Sequence, residues 1–212
     1  ALRTVLLCLE NTHNFAGGAC LAPSEHRALV EAARSRGLKV HLDGARLWHA
    51  AAATGASLTE LAWGADTVSV CLSKGLGAPV GSLLVSDRAR IEEARRLRKM
   101  LGGGVRQGGV LGAAGLVALD YLPRLPEDHA KARHLVEGLR ALGFDAPVPE
   151  TNILLLPVPR PAEALGRLEA VGVRVLPVGQ ALRFITHRDL TEADVEEALA
   201  RIEPLAEGML RA

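Results

Sequence analysis

Three short apolar runs, Leu2 to Leu9, Leu38 to Leu42 and Asp66 to Leu72, each give way to a polar or glycine-bearing turn, and helical segments separate them. This alternation constrains the chain more than any other feature. Strands joined through helices pair in parallel, with the helices laid on the faces of the sheet. The first connecting helix is predicted over Pro23 to Arg36: Pro23 suits the first helical position, Ala28, Leu29, Ala32 and Ala33 supply apolar spacing, and Gly37 ends it. Ala45 to Ala53 reads as the next helix. Ser57 to Leu61 is a short one, with Ser57 and Glu60 at capping-box spacing. Gly81 to Val85 is a further strand.

Asp87 to Leu101 is predicted as a helix rich in Arg and Glu, broken by Gly102-Gly103-Gly104. Arg106 to Leu122 reads as a long helix, apolar nearly all round and therefore expected to be buried. Pro123 and Pro126 interrupt before an amphipathic helix over Glu127 to Leu142, closed by Gly143. Beyond it the spacing shortens. Strands are predicted at Asn152 to Leu156, Val171 to Leu176 and Ala181 to Ile185. Helices are predicted at Pro161 to Ala170 and Thr191 to Leu205, with Thr191 as the cap of the last. The reading is an α/β domain over residues 1–120 and a small α+β domain over 121–212.

A chain of 212 residues can bury a substantial core. Its formal net charge of +1 argues against a nucleic-acid or membrane-surface binder, which needs a basic excess or stripe. Arg95, Arg96, Arg98 and Lys99 cluster, but read as a solvated helix face. The three cysteines, Cys8, Cys20 and Cys71, have no CxxC or Cys/His spacing, so neither a disulfide framework nor a zinc motif is indicated. Cys8 and Cys71 lie in apolar runs and read as small core residues. A reducing cytoplasm fits this usage. No apolar run approaches the roughly 20 residues that span a bilayer. The chain opens on Ala1 without Met and without a visible signal peptide, consistent with a natural start that is missing.

The candidate chemistry lies where the apolar runs end. Lys74 follows the third run and sits in a turn with Gly75 and Gly77. A lysine at a strand end faces a crevice, which suits an amine that must form an imine and therefore needs desolvation. Asp43, followed by Gly44, Ala45 and Arg46, ends the second run. A lysine for an imine and a strand-end carboxylate for a pyridinium nitrogen are the pair that pyridoxal 5'-phosphate requires. Plainer roles stand beside these: Lys74 as an exposed turn lysine, Asp43 as the N-cap of the helix that follows.

Five segments, taken in order, carry a resemblance: Glu10-Asn11-Thr12-His13-Asn14; Asp43-Gly44-Ala45-Arg46; Ser73-Lys74-Gly75-Leu76-Gly77-Ala78-Pro79-Val80-Gly81-Ser82; Leu101-Gly102-Gly103-Gly104-Val105-Arg106-Gln107; and Arg183-Phe184-Ile185-Thr186-His187. Together they resemble the low-specificity L-threonine aldolases, over the whole chain. The resemblance implies an α/β fold of the pyridoxal-phosphate transferase type (fold type I), with helices on both faces of a sheet and a small C-terminal α+β domain. It implies cleavage of L-threonine or L-allo-threonine to glycine and an aldehyde, in a homo-oligomer. By the same resemblance Lys74 would form the imine, Asp43 would pair with the ring nitrogen, and Arg46 and Arg183 would bind the substrate carboxylate. Arg106 would contact the cofactor phosphate, with Lys99 a weaker candidate, and Arg46 would also lie close to the cofactor. Ser73, beside the lysine, reads either as a phosphate contact or as a cap of the turn, and His13 either as a group that orients substrate or as one that stabilises its loop. His41 and His187 read as structural. Arg183 also reads as a strand-edge surface arginine. Members of the family carry a leading segment before Glu10, with a phosphate loop and a histidine that stacks on the ring. This sequence is therefore expected to be the C-terminal part of such an enzyme. A hydroxymethyltransferase, a β-eliminating lyase and a non-catalytic fragment remain as alternatives.

Overall fold

A computed structural model describes residues 3–211 and divides them into two compact units, each treated by itself below. The first comprises the residues up to Thr12 together with Leu21–Pro123. The second comprises His13–Cys20 together with Arg124 onward. The sequence boundary near residue 120 thus misses an excursion: His13–Cys20 packs with the later half of the chain.

In the first unit, β1 (Leu6–Glu10), β2 (Lys39–Gly44), β3 (Thr67–Cys71) and β4 (Ser82–Val85) form one sheet in the order β1-β2-β3-β4. The alternation read from the sequence gives β1, β2 and β3 their parallel pairing. β4 runs antiparallel to β3, because a loop rather than a crossover helix joins them. α1 (Pro23–Arg34) starts with Pro at its first turn, as predicted, and buries Val30 and Ala33 against Val40 of β2. Burial of a valine such as Val30 or Val40 is worth about 1.5–3 kcal/mol, and that of the smaller Ala33 less. α2 (Leu47–Thr54) ends at Gly55, whose φ of 70° few other residues adopt without strain. α3 (Leu58–Leu61) carries the Ser57–Glu60 capping box.

Three expectations in this unit are corrected. Cys8 is exposed rather than part of the core, since β1 is an edge strand that pairs only with β2; Cys71 is half-buried. Leu2, read as the start of the first strand, lies outside the described residues. After α4 (Arg88–Met100), capped by Asp87 and exposed along its arginine face as expected, comes α5 (Gly109–Leu119). α5 is shorter than the predicted Arg106–Leu122 and is not buried. Only Gly115 and Ala118 are covered, where Gly115 meets Leu72, while Val110, Leu116 and Val117 are at least 70% exposed.

The second unit is a three-stranded antiparallel sheet, β5 (Ile153–Pro157), β7 (Ala181–Ile185) and β6 (Leu176–Val178), with β7 in the middle. β6 replaces the strand predicted over Val171–Leu176. Val173 and Val175 alternate as strand residues do, but reach the core from irregular backbone. α6 (Leu125–Ala141) takes Pro126 into its first turn, where a missing N–H costs nothing, so Pro126 opens the helix rather than interrupting it. α7 (Pro161–Ala170) matches its prediction. α8 (Glu192–Ile202) is capped by Thr191 and followed by a 3-10 turn at Glu203–Leu205 and by α9 (Ala206–Leu210). The core joins Leu135 and Leu139 of α6, Leu154 and Leu156 of β5, Leu182 and Phe184 of β7, and Val195 and Ile202 of α8.

A polar cluster ties α6 to the end of β7. Buried Lys131 donates to the carbonyls of His187 at 2.7 Å and Leu190 at 2.9 Å and pairs with Asp128 at 2.8 Å. Such a pair is costly to break, because loss of either member leaves a buried charge behind. Next to it, His129 is 3% exposed, and burial, aided by the charge of Arg133, lowers its pKa from 6.5 to about 4. Below pH 6.5 the unfolded chain therefore takes up a proton that the folded chain refuses until about pH 4. Stability from this group falls as pH drops through that window, by at most roughly 3 kcal/mol. Urea midpoints measured across the window should fall less steeply in His129→Gln than in the parent chain; parallel curves would show that His129 takes no part in the acid limb.

Candidate active site

The carboxyl ends of β1, β2 and β3 lie side by side. The parallel register sets Glu10 opposite Asp43 and Asp43 opposite Ser69, so one row of polar residues crosses three adjacent strands, at or near the end of β1 and β2 and two residues before the end of β3. In open α/β sheets, ligands bind outside these ends. Asp43 is half-buried, and its Oδ1 accepts from the Ala45 N–H at 3.0 Å and from Ser69 Oγ at 3.4 Å. Those bonds aim the carboxylate and engage one oxygen of two. Asp43 is not the helix N-cap that its sequence position suggested: α2 begins later, with Arg46 in that role, because Gly44 is still strand and Ala45 turns the chain. Arg46 is half-buried, two residues beyond the end of β2.

Beyond β3 the chain turns sharply. The Gly77 N–H donates to the Lys74 carbonyl at 2.8 Å, closing a turn over Lys74–Gly77, and the Ala78 N–H donates to Leu72 O at 3.0 Å. Gly77, with φ 73°, accommodates the left-handed step. Leu76 is fully buried and anchors the turn from below, and Lys74 is exposed at its tip, a turn lysine in solvent rather than in the crevice expected of a strand end. Ser73 Oγ lies 3.5 Å from the Gly81 carbonyl, a weak contact across the base of the loop.

Two residues of α2, not singled out by sequence reasoning, shape this turn. Trp48 Nε1 donates to the Cys71 carbonyl at 3.0 Å and fixes the end of β3. His49, 2% exposed, lies so close under Gly75 that a Cβ there would run into its Nε2. Gly75 is thus a glycine for want of space, and the Lys74 turn rests on the His49 ring. His49 is not on the face set by Leu47 and Ala50, so helical spacing gives no sign of it, and only the fold brings it under Gly75.

The remaining candidates stand elsewhere. Arg106 is exposed in the turn ahead of α5 rather than within the helix, and Lys99 packs its stem near Gly104. His41 Nδ1 bonds Thr67 Oγ1 at 2.8 Å and His187 Nδ1 accepts from the Asp189 N–H at 3.3 Å, both structural contacts as expected. In the second unit, exposed His13 starts a closed loop, with its N–H donating to Ala19 O at 2.9 Å. Arg183 is not the surface arginine of its plainer reading. It stands on the central strand β7, is half-buried, and donates from Nη1 to Asn14 Oδ1 at 2.6 Å.

Gly75→Ala should lower the stability of the chain by about 1–3 kcal/mol, the usual cost of overpacking. His49→Ala in the same chain should return part of that loss. Additive effects in this double-mutant cycle, followed by thermal unfolding, would show that the two residues do not press on each other.

The chain is 43% identical over 207 residues to low-specificity L-threonine aldolase 1 of Arabidopsis thaliana and 42% identical over 200 residues to the low specificity L-threonine aldolase of Escherichia coli K12. Each alignment takes in 93% of this chain, which spans 58% and 59% of the length of those two relatives. Among solved structures, a protein of Exiguobacterium sp. 255-15, whose name joins aromatic amino acid beta-eliminating lyase with threonine aldolase, superposes with a TM-score of 0.81 at 25% identity, covering 96% of this chain and 63% of that one. The fold is that of the pyridoxal-phosphate fold type I enzymes. The beta-eliminating lyase family model matches residues 1–159, three quarters of the sequence, and the chain belongs to that family.

Proposed function

We propose that the protein cleaves β-hydroxy-α-amino acids, L-threonine and L-allo-threonine among them, between Cα and Cβ to give glycine and an aldehyde, with pyridoxal 5'-phosphate as cofactor. One observation carries this reading: an exposed lysine and a half-buried carboxylate end adjacent parallel strands, in a chain of the beta-eliminating lyase family. The names of its relatives in Arabidopsis and Escherichia coli support the choice of reaction.

The residues fit the cofactor. Asp43 has one oxygen taken by the backbone and Ser69 and a second left to accept from a ring N–H⁺. Gly75 lets the turn that carries Lys74 pack directly on the His49 ring, which sets where the lysine leaves the backbone. When bound, pyridoxal phosphate supplies a protonated ring that takes up the electron pair released at Cα.

Lys74 would hold the cofactor through Nζ, and once released by the substrate amine it would be available to carry protons to and from the substrate, Cα included. Asp43, as a carboxylate, keeps the ring nitrogen protonated, since each opposite charge favours the ionised form of the other. Arg46 and Arg183 hold the substrate carboxylate with forked donors matched to two oxygens. Arg106 and Ser73 take the phosphate, and His13 orients the substrate. Exposed apolar side chains on α5 and at Leu101, which is 86% exposed, support burial against a second copy, so the protein is read as a homo-oligomer. No helix among the described residues is long and apolar enough to cross a membrane. The free cysteines Cys8, Cys20 and Cys71 support a place in the reducing cytoplasm.

Titration of the purified protein with pyridoxal phosphate should raise a visible absorbance band, and borohydride reduction followed by peptide mapping should put the label on Lys74. Glycine and acetaldehyde should form from L-threonine without folate, which separates this reaction from hydroxymethyl transfer. Lys74→Ala should lose both label and turnover. Asp43→Ala should keep the label and lose roughly 10²-fold or more in turnover, the scale of removing one charge-stabilising group. Label scattered over surface lysines, with no glycine formed, would overturn the reading. Sedimentation equilibrium of Leu116→Glu should show a weakened assembly; an unchanged one would remove α5 from the interface.

A further inference from the structure

We propose that Asn14 is the positioning residue of Arg183, setting which edge of the guanidinium is offered to a substrate carboxylate. The inference rests on the reading of Arg183 as a carboxylate ligand. It starts from an imbalance in how Arg183 is satisfied. Its Nη1 donates to Asn14 Oδ1 at 2.6 Å, while its Nε is buried with no hydrogen-bond partner. A buried unsatisfied donor costs about 1–3 kcal/mol, more when the group is charged. With Nη1 engaged, Nε and Nη2 form the remaining edge of the fork, two parallel donors that match the two oxygens of a carboxylate. A ligand carboxylate that displaces the groups now covering that edge would satisfy Nε.

The support behind Asn14 is rigid. Asn14 opens the 3-10 turn Asn14–Ala16, inside a loop closed by the His13 N–H to Ala19 O and the Gly18 N–H to His13 O, both 2.9 Å. Two bonds fasten that loop to the approach to β5: Thr151 Oγ1 to Gly18 O and Cys20 N–H to Glu150 Oε2, each 3.0 Å. Thr151 Oγ1 also fills the place of a Gly18 side chain, and Gly17 lies over Leu155. Leu155 is the cross-strand neighbour of Arg183 in the β5–β7 pair. The loop that carries Asn14 and the strand that carries Arg183 therefore form one packed piece. The amide chemistry matters as well. An amide oxygen fixes the guanidinium without cancelling its charge, whereas an aspartate at position 14 would neutralise it and compete with the substrate.

The test compares the pyridoxal-phosphate-loaded enzyme with its Asn14→Ala, Asn14→Asp and Arg183→Lys variants. Asn14→Asp is nearly isosteric and keeps the question open to measurement if the alanine variant does not fold. Asn14→Ala should raise KM for L-threonine about tenfold with kcat within twofold, the scale of one hydrogen bond to a charged group. Asn14→Asp should raise it further. Competition by glycine should weaken in step, while competition by 2-aminoethanol, an amine without a carboxylate, should not change. Wild-type KM in both Asn14 variants, with KM raised in Arg183→Lys, would overturn the role of Asn14 and leave that of Arg183 standing. Equal weakening of glycine and 2-aminoethanol would make Asn14 merely structural and overturn the inference. Wild-type KM in Arg183→Lys would sink the reading on which the inference depends.

Discussion

The parallel register of β1, β2 and β3 is the constraint on which the first unit depends. Strand ends in a parallel sheet all face the same way, so Glu10, Asp43 and Ser69 fall in one row without any contact of their own having to hold them there. Buried Val40 and Leu42 fix β2 in that register through apolar packing, since a slip of one residue would turn them out of the core. The sheet core thereby supplies a fixed edge from which the turns beyond it set out. Arg46 and Lys74 come next along the chain, each within a few residues of a strand end, where the backbone is already steered by Trp48 and Leu76.

The second unit solves a different problem. Arg183 stands in the middle of an antiparallel sheet, where a charged side chain costs free energy unless it is hydrogen-bonded. Alternation along β7 gives Leu182 and Phe184 to the core and sends Arg183 to the other face, where the His13–Cys20 loop meets it. Lys131 and the carbonyls it binds hold the chain just after β7. The strand is therefore restrained by packing along its length and by buried polar contacts beyond its end.

Signals that act within a few residues are legible in the sequence. Pro23 opening α1, Ser57 and Glu60 around α3, and Thr191 with Asp194 at the head of α8 are each short-range hydrogen-bond or dihedral effects, and the structure contains all of them. Lys74 and Asp43 are legible for the same reason, as polar residues at the ends of apolar runs. What is hidden depends on distant partners. Asn14 and Arg183 are 169 residues apart, and no spacing rule links them. His49 under Gly75 needs the helix and the turn to be brought together first. The exposure of α5 is hidden in another way: an apolar helix is expected to find a cover, and periodicity does not say which molecule provides it. Val173 and Val175 illustrate a third case, since alternation of apolar residues records burial and not the strand conformation itself.

The excursion of His13–Cys20 also bears on how the protein can be taken apart. The chain passes between the two units three times, after Thr12, after Cys20 and after Pro123. A modular architecture joined by one linker can be recombined with a single splice; this one cannot. A chimera built by exchanging everything after Pro123 would import a foreign Arg183 while keeping the native Asn14, and a fragment cut there would lose the loop outright. Any exchange between members of the family that is to keep this contact has to move the short early segment and the late domain as a matched pair.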